Sequence, residues 1–174
     1  MLTLAEYFSS ISQFTALLHH SNPVVMTTEI LLRYLHFLSI LTLTGTLTAE
    51  LAMLRPSLTR RDIGRIALVD AIYGLSAILL LAAGLTLWLG GYSKPSVYYT
   101  QNWIFLTKLG LVAAVGILSI YPTIFFIRQR KGMPDEPVNI PNAVLWSVRV
   151  EVMLLTIIPL LAGLMARGIG LMPS

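Results

Sequence analysis

One layer of side chains able to carry charge stands within or beside long apolar runs of this 174-residue chain, Glu29, Arg33 and His36 on one run and Lys108 on another. Glu29 and Arg33 are four residues apart and Arg33 and His36 three, so on a helix the three share one face. His36 lies about 10 Å into its run and Lys108 about 9 Å into its own, entered from the same side, so the two are placed to meet. A neutral imidazole is the commonest protein ligand for haem iron or a transition metal, and a helical bundle core is where such groups are held. His36 is therefore a candidate axial ligand to haem b or to a metal. Lys108 is then a second ligand or, with Arg33, a partner of the propionates. The plainer alternatives are a hydrogen bond from His36 to a backbone carbonyl or to a hydroxyl such as Thr42, Thr44 or Thr107, and an outward reach of the Lys108 stem.

A second layer holds Glu50, Asp70, Arg149 and Glu151, each about 6–12 Å from the opposite surface by helical rise. An ionisable group at the centre of a span costs about 2.5–3.5 kcal/mol even on the lenient insertion scale, so each needs a partner or a purpose. One expectation is structural: Glu50 and Asp70 face Arg149 as an ion-pair clamp, with Glu151 about 200° away on its helix and free for a head group. The other is a proton path through Glu50, Asp70 and Tyr73, since acidic chains in membranes relay protons. If the protein is an enzyme, Lys108, Glu50, Asp70 and Tyr73 are the candidate catalytic groups. His19 and His20 are adjacent, point to different sides of a helix and make a weak metal signal.

The elements that must hold these residues follow from composition. The chain is 56% hydrophobic and 11% charged, with 12 Lys+Arg, 8 Asp+Glu and a mean hydropathy of +0.77. A water-soluble domain carries roughly a quarter charged residues, so a soluble globule and a disordered chain are both excluded. The expected fold is an all-α membrane protein, a bundle of four transmembrane helices near 30–54, 66–89, 103–127 and 144–165 within a domain covering 23–174. Residues 1–22 read as an amphipathic interfacial helix, from Leu4, Tyr7, Phe8, Ile11, Phe14 and Leu18 at helical spacing. Small residues such as Gly45, Gly74, Gly84 and Gly116 suit close helix packing, and Pro122 and Pro159 fall inside spans.

Arg55, Arg60, Arg61 and Arg65 lie in the first connection and Arg128, Arg130 and Lys131 in the third, whereas the second has only Lys94. By the positive-inside rule these two loops are cytoplasmic and both termini lie outside, as in a multi-pass protein of the bacterial inner membrane. Trp88, Tyr92, Tyr98, Tyr99 and Trp103 then form an outer aromatic belt, with Trp146 at the inner face. The basic residues read as topology signals, so membrane lipid and no nucleic acid is the expected surrounding. There is no Cys, which removes disulfides and thiolate chemistry, and no phosphate loop, dinucleotide fingerprint, nucleophile elbow or paired-His zinc helix.

The run Arg33-Tyr34-Leu35-His36-Phe37-Leu38, then Gly45, Glu50 and Arg55-Pro56, resembles an uncharacterised bacterial family of small four-helix membrane proteins. Asp70-Ala71-Ile72-Tyr73-Gly74-Leu75 and the Lys108-Leu109 opening of the third span carry the same resemblance, over roughly 29–130. That family looks related to the copper-resistance protein D membrane domain and the HemJ-type protoporphyrinogen oxidase. The HemJ-type proteins bind haem b and depend on a His early in the first span and a Lys early in a later one. The resemblance thus implies these roles for His36 and Lys108, and offers Arg149 for an Arg near the last span. The aromatic-rich stretch expected after that His is absent, and the methionines form no thioether cluster for copper. The leading expectation is a haem b protein serving electron transfer or porphyrin oxidation. A non-enzymatic accessory or assembly subunit of a larger membrane complex is the second, a homo-oligomer being compatible with either. A copper or small-solute permease is the third.

Overall fold

The computed structural model describes residues 23–92 and 99–171. The amphipathic segment expected over 1–22, with His19 and His20, lies outside them, as do Lys94 and Tyr98. Four long helices account for most of the rest: α1 (Pro23–Met53), α2 (Arg60–Leu89), α3 (Trp103–Gln129) and α4 (Asn142–Ala166). Each is long and apolar enough to cross a membrane. The shortest has 25 residues; at 1.5 Å per residue it spans about 37 Å, more than the roughly 30 Å hydrocarbon core.

Three of the helices start earlier than the expected apolar runs, while α3 starts at Trp103 as expected, and local chemistry accounts for the starts of α1 and α2. Pro23 opens α1, a position where its missing N–H and fixed φ carry no penalty. Thr27 and Thr28 then bond back to the carbonyls of Pro23 and Val24, both at 2.8 Å. α2 begins at Arg60 because Thr59 caps it: its Oγ1 accepts from the Asp62 amide and donates to the Asp62 carboxylate at 2.8 Å. Both interior prolines, Pro122 and Pro159, lie within continuous helix.

α1 packs along α2 and α3 along α4, so the bundle is two antiparallel helical hairpins laid together. At the Arg-rich end the hairpin loops pair as a small antiparallel ladder, β1 (Ser57–Thr59) against β2 (Pro137–Asn139), with Leu58 opposite Val138. The all-helical expectation thus holds for the spans and gains a strand pair between their loops. Arg60 adds a second tie. Its Nε and Nη2 donate to the two carboxylate oxygens of Glu136 at 2.6 and 3.1 Å, and its Nη1 donates to the Gln129 carbonyl at 2.8 Å. The guanidinium lies where a Cβ on Gly132 would fall, 2.7 Å from Nε, and Gly132 has φ +131°. Only glycine meets both demands there. Arg60 is therefore a structural fork as well as a topology signal.

The Arg60 hydrogen bonds hold the Glu136 carboxyl below the usual carboxylate range. A depressed value in the folded protein means the clasp contributes stability above the ordinary range near about 4.3 and loses it as pH falls through the folded value. Protection of the α3–α4 loop amides, taken relative to the intrinsic exchange rate at each pH, should therefore fall on acidification below that range. In Glu136→Gln protection should be low already at neutral pH and no longer follow acid; an unchanged profile in the variant would refute the assignment.

Two apolar clusters hold the interior. Ile63, Ile66, Ala67, Phe126, Ile140 and Val144 pack at the Arg-rich end, and Leu43, Leu47, Tyr73, Val115 and Val148 pack deeper. Large apolar side chains such as Leu31, Phe37, Leu41, Ile78, Ile117 and Leu160 point outward. That inversion is what a bilayer solvent requires, because lipid tails are as apolar as the side chains they meet.

The far end of α3 is held by Asn102, which is 0% exposed. Its Oδ1 accepts from the Ile104 and Phe105 amides at 3.0 and 3.3 Å and its Nδ2 donates to the Ile169 carbonyl at 3.2 Å. The chain after α4 returns to this point, with Trp103 N–H bonding the Gly170 carbonyl at 3.0 Å. Gly170 has φ +97°, and a Cβ there would meet Asn102 Oδ1 at 2.7 Å. Asn102→Ala removes a cap and leaves the Ile169 carbonyl without that donor, so a loss of about 1–2 kcal/mol is expected in detergent unfolding. Asn102→Asp should recover most of the cap share but not the Ile169 bond. A loss under about 0.3 kcal/mol in Asn102→Ala would show the cap to be idle.

Candidate functional site

The polar residues of the spans separate into two layers. In the layer away from the Arg-rich end, Arg33 pairs with Glu29 at 2.7 Å, one helical turn apart on α1. His36, one turn deeper and half-buried, places Nδ1 3.2 Å from the Leu80 carbonyl of α2. A carbonyl oxygen only accepts, so Nδ1 carries the hydrogen and Nε2 carries the lone pair. Nε2 has no hydrogen-bond partner among the described residues.

Gly84 explains how the ring reaches a main-chain carbonyl on another helix. A Cβ at that position would stand 3.1 Å from His36 Cε1 and 3.3 Å from Nδ1. The absent side chain is the space the imidazole uses. Lys108 of α3, also half-buried, lies near enough for its charge to act on the imidazole, with no hydrogen bond between them. The expected convergence of His36 and Lys108 is thus present as proximity. Of the alternatives for His36, the backbone carbonyl is the one realised, and no bond to Thr42, Thr44 or Thr107 forms. The hydroxyls of Thr42 and Thr107 bond to their own helices, at Leu38 and Trp103.

The second layer is acidic. Glu50 of α1, Asp70 of α2 and Glu151 of α4 are 1%, 4% and 1% exposed. Tyr73 donates from its hydroxyl to Glu151 Oε2 at 3.2 Å. Thr123 of α3 donates to Asp70 Oδ1 at 2.9 Å. The three carboxyls lie within electrostatic reach of one another. Glu50 Oε2 and Glu151 Oε1 are buried and have no hydrogen-bond partner among the described residues.

Arg149 does not belong to this layer, which corrects the clamp expected of it. It is exposed, with its guanidinium 5.5 Å from the centre of the Trp146 ring. The reason is angular: Arg149 and Glu151 are two residues apart on α4, so turning Glu151 inward turns Arg149 outward. There a flexible stem and a neighbouring aromatic face hold the charge. No ion pair to Glu50, Asp70 or Glu151 forms among the described residues. Glu151 faces its fellow carboxyls rather than a head group.

A sequence reading misses two polar residues of the bundle, Thr123 and Asn102, one with almost no signal and one with a recognisable one. Thr123 is one hydroxyl among many, and only its depth opposite Asp70 singles it out. Asn102 has a recognisable signature, an Asn immediately before an apolar helix. Two of the expected belt residues pack on a third aromatic: Phe105 meets Trp88 edge-on at 4.9 Å and Tyr99 at 5.2 Å. Among the described residues no three His, Asp or Glu side chains converge closely enough to hold a metal ion.

Comparison with known proteins matches residues 28–170 to a family described as "Predicted membrane protein (DUF2214)". No curated protein matches the chain, and no solved structure does.

Proposed function

The chain belongs to that membrane-protein family, and on that premise we propose that it is a haem b protein in which His36 would ligate the iron. The observation that carries the reading is the bond from His36 Nδ1 to the Leu80 carbonyl. Iron-ligating histidines characteristically donate their other ring N–H to a carbonyl or carboxylate, which fixes the tautomer and raises the basicity of the coordinating nitrogen. His36 meets that requirement before any ligand is added, and Gly84 supplies the clearance for it. The resemblance to HemJ-type proteins, which use a His and a Lys at corresponding places, points the same way.

In this reading His36 Nε2 would hold the iron, and Lys108 would serve as second ligand or, with Arg33, would pair the propionates. Haem b supplies reversible one-electron chemistry when bound, the basis for electron transfer or porphyrin oxidation. The protein's own part is to orient the imidazole and to keep a cation beside it. The exposed Arg61, Arg65, Arg128, Arg130 and Lys131 at the loop end support a cytoplasmic orientation for that end. The proposed setting is the bacterial inner membrane with both termini outside.

The test is a visible spectrum of the detergent-purified full chain produced with haem supplied. A Soret band in near-equimolar amount is the expected result. A colourless protein that co-purifies with a stoichiometric partner would replace this reading with that of an accessory subunit.

A further inference from the structure

Glu50, Asp70 and Glu151 come from three different helices and are buried together, with no cation paired to them among the described residues. Arg149, the nearest cation in sequence, is turned outward over Trp146. The polar groups facing the cluster are Tyr73 from α2, bonded to Glu151, and Thr123 from α3, bonded to Asp70. Both are hydroxyl donors, and between them they satisfy one oxygen of each of two carboxyls. Glu50 is 1% exposed, and its Oε2 is orphaned.

The surroundings make this arrangement expensive for three anions. The cluster lies between the apolar group of Ile63, Ile66, Phe126 and Val144 and the deeper group of Leu43, Leu47 and Val115. An open groove of about 500 Å³ lies at the loop end, lined by Arg55, Thr59, Asp62 and Ile66. Ile66, part of that lining, is one turn from Asp70 and 0% exposed, and the carboxyls themselves are 1–4% exposed. Like charges in such a setting cannot all be ionised, and buried carboxylates without cations neutralise by taking up protons.

We propose that Glu50, Asp70 and Glu151 form a proton-binding site that holds at least one exchangeable proton at neutral pH, with Glu50 Oε2 as the principal acceptor. As a carboxylic acid Glu50 becomes a hydrogen-bond donor, and in the same cluster the orphaned Glu151 Oε1 is an acceptor without a donor. Tyr73 and Thr123 anchor the other two carboxyls and set which oxygens face inward. The site is independent of the haem reading. It lies 14 residues, about 21 Å along α1, from His36.

Infrared spectroscopy of the full chain in lipid nanodiscs at pH 7 tests it, with and without sodium and in H₂O and D₂O. The expected result is a protonated-carboxyl C=O band that shifts in D₂O and loses about one carboxyl per chain in Glu50→Gln. Gln is the uncharged isostere of the protonated acid, so Glu50→Gln should fold with unchanged helix content. Absence of the band, or a band unaltered in both Glu50→Gln and Glu151→Gln, would overturn the proposal. A band that appears only when sodium is withdrawn would make the site a sodium site and overturn it equally. Failure of Glu50→Gln to fold, with Glu50→Asp folding, would show that an ionised carboxylate is required and overturn it too.

Discussion

Replacing His36 with alanine is expected to abolish the Soret band while leaving the four helices intact. His36 is the only histidine among the described residues, so no second imidazole among them replaces it as a ligand. Its ring is half-buried and its loss opens modest space, so helix content and unfolding midpoint should change little. Haem retention should fall at least tenfold, which corresponds to the loss of about 1.4 kcal/mol or more of binding free energy. Gly84→Ala forms the graded companion, because its Cβ would crowd the imidazole at 3.1 Å and displace it by tenths of an ångström. It should shift or weaken the band without removing it. A His36→Ala protein that retains its full haem complement would refute ligation by this residue.

Phe126→Ala carries the largest expected effect on stability. Phe126 is 0% exposed and joins α3 to Ile63, Ile66 and Ala67 of α2 and to Val144 of α4. Truncations of buried Phe elsewhere cost about 3–5 kcal/mol through lost transfer and an unfilled cavity. In lipid the transfer share shrinks, since the unfolded-in-membrane chain also keeps its side chains in an apolar phase. The dispersion and cavity shares remain, so about 3 kcal/mol is expected in denaturant titration in detergent micelles. Phe126→Leu should lose less than half as much. A loss below about 1 kcal/mol would show that the cluster relaxes around the hole.

The spans are legible in the sequence because hydropathy alone selects them, and the depth of each ionisable residue follows from helical rise. Proximity within a layer was legible too: His36 with Lys108, and Glu50 with Asp70. Partner choice was not. Pairing Glu50 and Asp70 with Arg149 follows from charge alone, whereas the angle between Arg149 and Glu151 allows only one of them inside. The helix starts at Pro23 and Arg60 depend on a first-turn proline and on the Thr59 cap rather than on hydropathy, and so precede the apolar runs. The strand pair escapes a sequence reading because Ser57-Leu58-Thr59 is three residues long and its partner Pro137-Val138-Asn139 lies far along the chain. Their extended form is set by each other.

That strand pair has a mechanical meaning. Together with the Arg60–Glu136 fork it fastens the α1–α2 hairpin to the α3–α4 hairpin at one end, like the joined end of a pair of tweezers. Relative tilting of the hairpins then pivots at the loops and grows along the helices. From Met53 to His36 the arm is about 25 Å, so a tilt of about 5° displaces the imidazole by roughly 2 Å. His36 rides on one arm and Lys108 on the other. The gap between them is sensitive to such a tilt, which is limited by the clasp at the loops and by the Trp88–Phe105 contact between α2 and α3 at the other end.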